Sequence, residues 1–253
     1  MVHLLIQLYK SKFEERNAEM MEALNRNLAC EHIHKITIFL DGDIDIPDHK
    51  KINVVPNTVR MTFSNYFEYI NEVSQNEICC ISNADIYFDD SLKYINDMED
   101  DYFVALTRND VLNLPMSENE MLRDCSQDSW FIKTNKPIPK QLIEDSDFYL
   151  GEARCDNRIA FWCLVNGYKP INPCLLFTGK HIHKNFDTRT YDPDGDPSIN
   201  YLQMCKVIAT NVMKYNPSKL ASFCSVGGVG TYYGQMFETL AKQFFCKDKR
   251  VIE

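Results

Sequence analysis

Short β-branched runs alternate with segments of helical period along the N-terminal half of the chain, and this alternation restricts the fold more than any other feature. Residues 2–8 are apolar and read as a strand. Residues 14–28 place Ala18, Met21, Leu24 and Leu28 at helical spacing. Residues 36–40, Ile-Thr-Ile-Phe-Leu, form a β-branched strand that stops at Asp41-Gly42-Asp43. Residues 52–55 give another short strand, and residues 61–73 return to helical spacing through Phe63, Phe67, Ile70 and Val73. The most apolar strand follows at 78–81. Strands that alternate with helices imply a parallel sheet covered on its faces.

The second half is less regular. Residues 103–106 and 129–133 read as strands and residues 156–166 as a helix that Gly167 ends. Residues 168–177 read as extended and residues 202–213 as a helix. Residues 115–124 and 186–200 read as polar, loop-rich stretches, and Gly227-Gly228-Val229-Gly230 as a turn. There is no internal repeat and no clear linker. The expected organisation is one domain over residues 1–190 with a C-terminal extension, residues 191–253, packed on it.

A length of 253 residues is enough for a large α/β core. The net charge of −9 repels phosphate backbones and argues against nucleic acid as a partner. Ten cysteines without a Cys-x-x-Cys pair, several inside apolar runs, point to buried free thiols and a reducing, cytoplasmic compartment. Residues 2–8 lack the charged flank and cleavage site of a signal peptide. No stretch approaches the ~20 apolar residues of a membrane span.

Acids gather where strands stop. Ligands of open α/β sheets bind beyond the carboxyl ends of the strands. Two runs end there in acids, one at Asp41-Gly42-Asp43 and the other at Asn83-Ala84-Asp85. Acids at such an edge repel a diphosphate unless a divalent cation lies between, and Mg²⁺ or Mn²⁺ takes carboxylate and phosphate oxygens. Asp85 follows an apolar run and is the better candidate, whereas Asp43, Asp45, Asp89 and Asp90 read as solvated loop residues. His181-Ile182-His183 puts two imidazoles on one face of an extended chain, either of which can serve as a metal ligand or lie idle at the surface. Asp156 opens a helix, as a capping residue does.

In that order, the strand ending in Asn83-Ala84-Asp85, the acid Asp156 at a helix start, the stop Gly167-Tyr168 and the histidines at 181 and 183 resemble the nucleotide-sugar glycosyltransferases of the GT-A fold. The resemblance runs over residues 2–183. It implies a Rossmann-like, three-layer α/β/α domain with a mostly parallel central sheet. It implies transfer of a sugar from a nucleotide-diphosphate donor, UDP-sugars being commonest, to a glycan or other acceptor hydroxyl. Asp85 with His181 or His183 would hold Mn²⁺ or Mg²⁺. Asn83 stands where the family has its first Asp, so it would turn to a sugar or ribose hydroxyl. Asp41, Arg60 and Asn65 would contact the nucleotide, and Arg108 the phosphates. Asp156 would be the general base of an inverting reaction, with Asp128 as second choice and Trp130 a stacking face or a core residue. The alternatives are a metal-dependent nucleotidyltransferase, for which no Gly-rich phosphate loop is present early in the chain, and a non-catalytic nucleotide-sugar-binding protein.

Overall fold

The computed structural model describes residues 1–110, 126–152, 155–182, 205–216 and 220–222. Eleven strands lie among them, in chain order β1 (Val2–Tyr9), β2 (Ile33–Asp41), β3 (Ile52–Pro56), β4 (Ile78–Ser82), β5 (Ile86–Tyr87), β6 (Tyr102–Asp110), β7 (Gln127–Lys133), β8 (Lys169–Ile171), β9 (Gly179–His181), β10 (Cys205–Val207) and β11 (Leu220–Ser222). The helices are α1 (Glu14–Ala29), α2 (Phe63–Val73), α3 (Lys140–Asp145) and α4 (Cys155–Val165), and a 3₁₀ segment spans Asp90–Asp97.

Nine strands form one sheet in the order β3-β2-β1-β4-β7-β6-β9-β5, with β8 beside β6. The block β3-β2-β1-β4 is parallel, as the alternating pattern requires. Strand β7 then runs antiparallel to both β4 and β6. That inversion keeps β6 and β9 pointing the same way as β1 and β4. The carboxyl ends of β2, β4, β6 and β9 and the amino end of β7 therefore share one edge.

Alternating side chains split the core into two layers. Leu4, Ile6 and Leu8 of β1 face Met20 and Leu24 of α1 and Leu92 and Ile95 of the 3₁₀ segment. Leu5 faces Phe63, Phe67 and Ile70 of α2 and Ile159 and Cys163 of α4. Strand β4 is covered on both faces, which is why all five of its residues are buried. The mixed α/β, three-layer arrangement agrees with the expectation.

Local signals place the helix ends. Thr62 and Asn65 form a reciprocal capping box that starts α2: the Asn65 backbone N–H donates to Thr62 Oγ1 at 3.3 Å and the Thr62 N–H to Asn65 Oδ1 at 3.0 Å. Gly167, at φ 89°, terminates α4, and the Tyr168 N–H bonds back to the Cys163 carbonyl at 2.9 Å.

One expectation needs correction, and one open alternative is settled. The helix expected over residues 202–213 is absent from its described part, where β10 pairs antiparallel with β11. Cys205 and Val207 point into the same buried layer as α4, so tertiary packing overrides the helical spacing. Trp130 is 1% exposed and packs edge-on against Phe63 at 4.9 Å, which makes it a core residue rather than a stacking face. Residues 115–124, 186–200 and 227–230 lie outside the described residues.

Candidate active site

The shared edge gathers buried charge. The chain turns sharply after β4, the Ile86 N–H reaching the Asn83 carbonyl at 3.2 Å, and this turn carries Asp85. Strand β9 runs alongside, and the Ile182 N–H donates to the Asp85 carbonyl at 3.0 Å. The two side chains meet as a result: His181 Nε2 lies 2.8 Å from Asp85 Oδ2, across 96 residues of sequence. Asp85 is 3% exposed and His181 5%.

Neither group stands alone. Arg16, in the first turn of α1, donates from Nη1 to the same Asp85 oxygen at 2.7 Å and to Glu19 at 3.1 Å. On its far side His181 Nδ1 bonds Asp110, the last residue of β6. Arg108 Nε lies 3.5 Å from Asp110, and its Nη1 donates to Asp128 and, at 3.0 Å, to Ser126 Oγ. Asn83 Nδ2 donates to the other Asp128 oxygen at 2.7 Å. A continuous relay of opposite charges thus runs from α1 across the strand ends to β7.

Burial works against the charge on His181. Its hydrogen bonds to Asp110 and Asp85, with the charge of Asp85, outweigh that and raise it to about 9. Burial likewise opposes ionisation of Asp110, but His181 and Arg108 hold its carboxyl below the usual range. Asp156, at the start of α4, behaves differently. Desolvation raises it to about 7 against the pull of backbone N–H groups from Asn157, 2.9 Å away, and Gln127, 3.2 Å away, with the charge of Asp128 adding to the rise. Asp156 follows Cys155 within the helix rather than capping it, and backbone donors hold its carboxylate while burial raises it toward neutrality.

Other candidates sit further out or are engaged structurally. Asp41 ends β2 beside Tyr9, half-buried at the same edge. Asn65 belongs to the α2 capping box. Exposed Arg60 lies over Tyr149, 4.9 Å from the ring, and bonds the Leu150 carbonyl, on the stretch that leads to Asp156. Asp128 has both oxygens bonded, to Arg108 and Asn83. Arg158 lies over the Phe148 ring at 4.1 Å. His183 lies outside the described residues.

Motif spacing does not single out Arg16 or Asp110. Arg16 lies in an ordinary charged helix start, and nothing local marks it. Asp110 carries a faint signal: it follows Arg108 by two residues at the end of an apolar strand, so both project toward the same side.

The donor set suits a divalent ion in part. The 2.8 Å between Asp85 Oδ2 and His181 Nε2 is close to the ~3 Å between adjacent ligands on an octahedral ion with bonds of about 2.1 Å. Asp110 behind Nδ1 is the carboxylate that commonly orients a metal-bound imidazole. Two such residues could hold a divalent ion only with oxygens from elsewhere, as Mg²⁺ usually needs.

No protein-family model matches the chain, and no curated protein matches it. Among solved structures, a mannosyltransferase from Pyrobaculum calidifontis in complex with GDP-mannose and Mn²⁺ aligns with 68% of this chain and 54% of its own, at 13% identity and a TM-score of 0.42. Staphylococcus aureus TarS, residues 1–349, in complex with UDP-GlcNAc aligns with 76% of this chain and 58% of its own, at 12% identity and 0.39. The glycosyltransferase GlyE of Streptococcus pneumoniae aligns with 67% and 44%, at 10% identity and 0.42. The chain thus spans about half the length of these structures.

Proposed function

We propose that this protein is a glycosyltransferase that moves a sugar from a nucleoside-diphosphate donor, UDP-sugars favoured, to the hydroxyl of a glycan or other acceptor, with inversion at the anomeric carbon. One observation carries the reading: Asp85 and His181 meet within hydrogen-bonding distance beyond the carboxyl ends of the strands, backed by Asp110 and flanked by Arg16 and Arg108. Asp85 and His181 together offer a donor set that a divalent cation can share with a diphosphate, and Asn83-Ala84-Asp85, Asp156 and His181 follow one another in an order that resembles that of nucleotide-sugar enzymes.

In this reading Asp41 meets the base or ribose, and Asn83 a sugar or ribose hydroxyl. Arg60 and Asn65 lie toward the nucleotide. Arg108 spans Asp110 and Asp128, so it fixes the acids and adds positive potential where the diphosphate departs. Asp156 accepts the proton of the acceptor hydroxyl while that oxygen bonds the anomeric carbon and the carbon–diphosphate bond breaks. Asp128, held on both oxygens, remains second choice. Mn²⁺ or Mg²⁺ held by Asp85 and His181 would supply Lewis-acid stabilisation of the leaving diphosphate.

The test is a thermal-shift screen with UDP-, GDP- and dTDP-sugars, with and without Mn²⁺, followed by an assay for release of the nucleoside diphosphate. One nucleotide family should raise the melting temperature only with the metal, because ligand that binds the native state stabilises it. Asp85→Asn, checked for native circular dichroism, should lose the shift. A shift that survives both metal removal and Asp85→Asn would overturn the assignment. A shift without any turnover in a range of acceptors would favour the non-catalytic binder, and pyrophosphate release would favour a nucleotidyltransferase.

A further inference from the structure

The amino end of β1 and β4, opposite the acidic edge, holds a second cluster. His3 and Cys79 are register partners in the parallel pair β1–β4, and both side chains are fully buried. Glu77, just before β4, reaches in at 19% exposure. One atom each from imidazole, thiol and carboxylate lie within 4.8 Å of one another, and among the described residues this is the set of three that converges so.

Neighbours orient each member. Thr37 Oγ1 faces His3 Nε2 at 2.8 Å, so an Nε2–H that donates there leaves the lone pair on Nδ1. Nδ1 faces Glu77 Oε1 at 3.4 Å and Ser74 Oγ at 3.1 Å. His34 Nε2 lies 3.0 Å from the other Glu77 oxygen. Outer partners of this kind orient the ligands of metal centres. A neutral imidazole, one sulfur and one carboxylate make a donor set for zinc, whereas Mg²⁺ and Ca²⁺ want oxygen alone.

We propose that His3 Nδ1, Cys79 Sγ and one oxygen of Glu77 bind a Zn²⁺ ion, with water as fourth ligand, at a structural site separate from the donor-binding edge. Cys79 gives its proton to solvent as the sulfur–zinc bond forms. The ion ties β1 to β4 and, through Thr37 and Ser74, braces β2 and the end of α2. Zinc binding at this end of the sheet does not depend on the glycosyltransferase reading.

The full chain, stripped with chelator, is titrated with ZnCl₂ and separately with CoCl₂, and metal content is measured after gel filtration. One zinc per chain should be retained, and cobalt should give the thiolate charge-transfer band with the strong visible bands of a tetrahedral site. Cys79→Ser should abolish the band, and Glu77→Gln, at a partly exposed position, should weaken zinc binding at least about tenfold. Asp85→Asn should leave both signals intact. No retained zinc and no cobalt band in the natural sequence would overturn the site, as would equal retention in a folded Cys79→Ser protein.

Discussion

At residue scale, the relay at the acidic edge makes its members interdependent. Asp85 is buried between a guanidinium and an imidazole, so its removal takes one carboxylate from each of two positive groups in a low dielectric. Asp85→Ala should cost about 3–5 kcal/mol of unfolding free energy by urea titration, the range for breaking a buried ion pair, as well as abolish turnover. In the proposed reaction Asp156 has a different part. A carboxyl raised to about 7 must be ionised to accept a proton, so turnover should climb with pH to a plateau with its midpoint near neutrality. Asp156→Asn should lower turnover by about 100- to 10,000-fold with little change in donor affinity measured by calorimetry. A pH profile flat across the neutral range would remove Asp156 from the base role.

At element scale, α1 and β9 set the geometry of Asp85 and His181. Arg16 and Asn27 lie eleven residues apart on α1, three helical turns, and so share a face. Arg16 holds the Asp85 carboxylate, while Asn27 holds the next strand by both backbone groups: its Nδ2 donates to the Ile86 carbonyl at 2.8 Å and its Oδ1 accepts from the Phe88 N–H at 3.0 Å. Asn27→Leu leaves both backbone groups buried and unpaired, and should destabilise by about 2 kcal/mol while raising the donor KM. Strand β9 approaches β5 so closely that a Cβ on Gly179 would lie 2.8 Å from Ile86 Cγ2. Gly179→Ala should cost about 1–3 kcal/mol and draw His181 away from Asp85, read as weaker Mn²⁺ dependence of donor binding. Normal stability and normal donor affinity in Gly179→Ala would show that the strand contact is dispensable.

At the scale of the whole molecule, pH integrates the buried groups. His181, raised from 6.5 to about 9, stabilises the fold most below 6.5, and that contribution is lost as pH rises through 9. Asp156, raised to about 7, acts in the same direction at lower pH, its contribution fading between about 4 and 7. His3, lowered to about 4, acts oppositely: the neutral buried ring loses stability as pH falls from 6.5 toward 4. The Asp156 and His3 effects offset each other on the acid side. The expected profile in chelator is therefore a decline in stability from pH 6.5 to 9, with a slope on the order of 1.4 kcal/mol for each step of one in pH. Denaturant midpoints across that range should flatten in His181→Gln, and an already flat natural profile would contradict the charged state of His181.

Much of this protein was determined by sequence alone, because strands and helices announce themselves through periods that need no partner. The parallel block β1 to β4, helices α1, α2 and α4, and the acid turn after β4 are all local patterns of this kind. The turn to an antiparallel β7, the strand at Cys205–Val207 and the burial of Trp130 were decided by tertiary structure, since each depends on which neighbour is available to pair or pack. The same holds for Arg16 and Asp110: a charge acquires its role only when folding brings an opposite charge to it from a distant part of the chain, and no spacing along the sequence records that encounter.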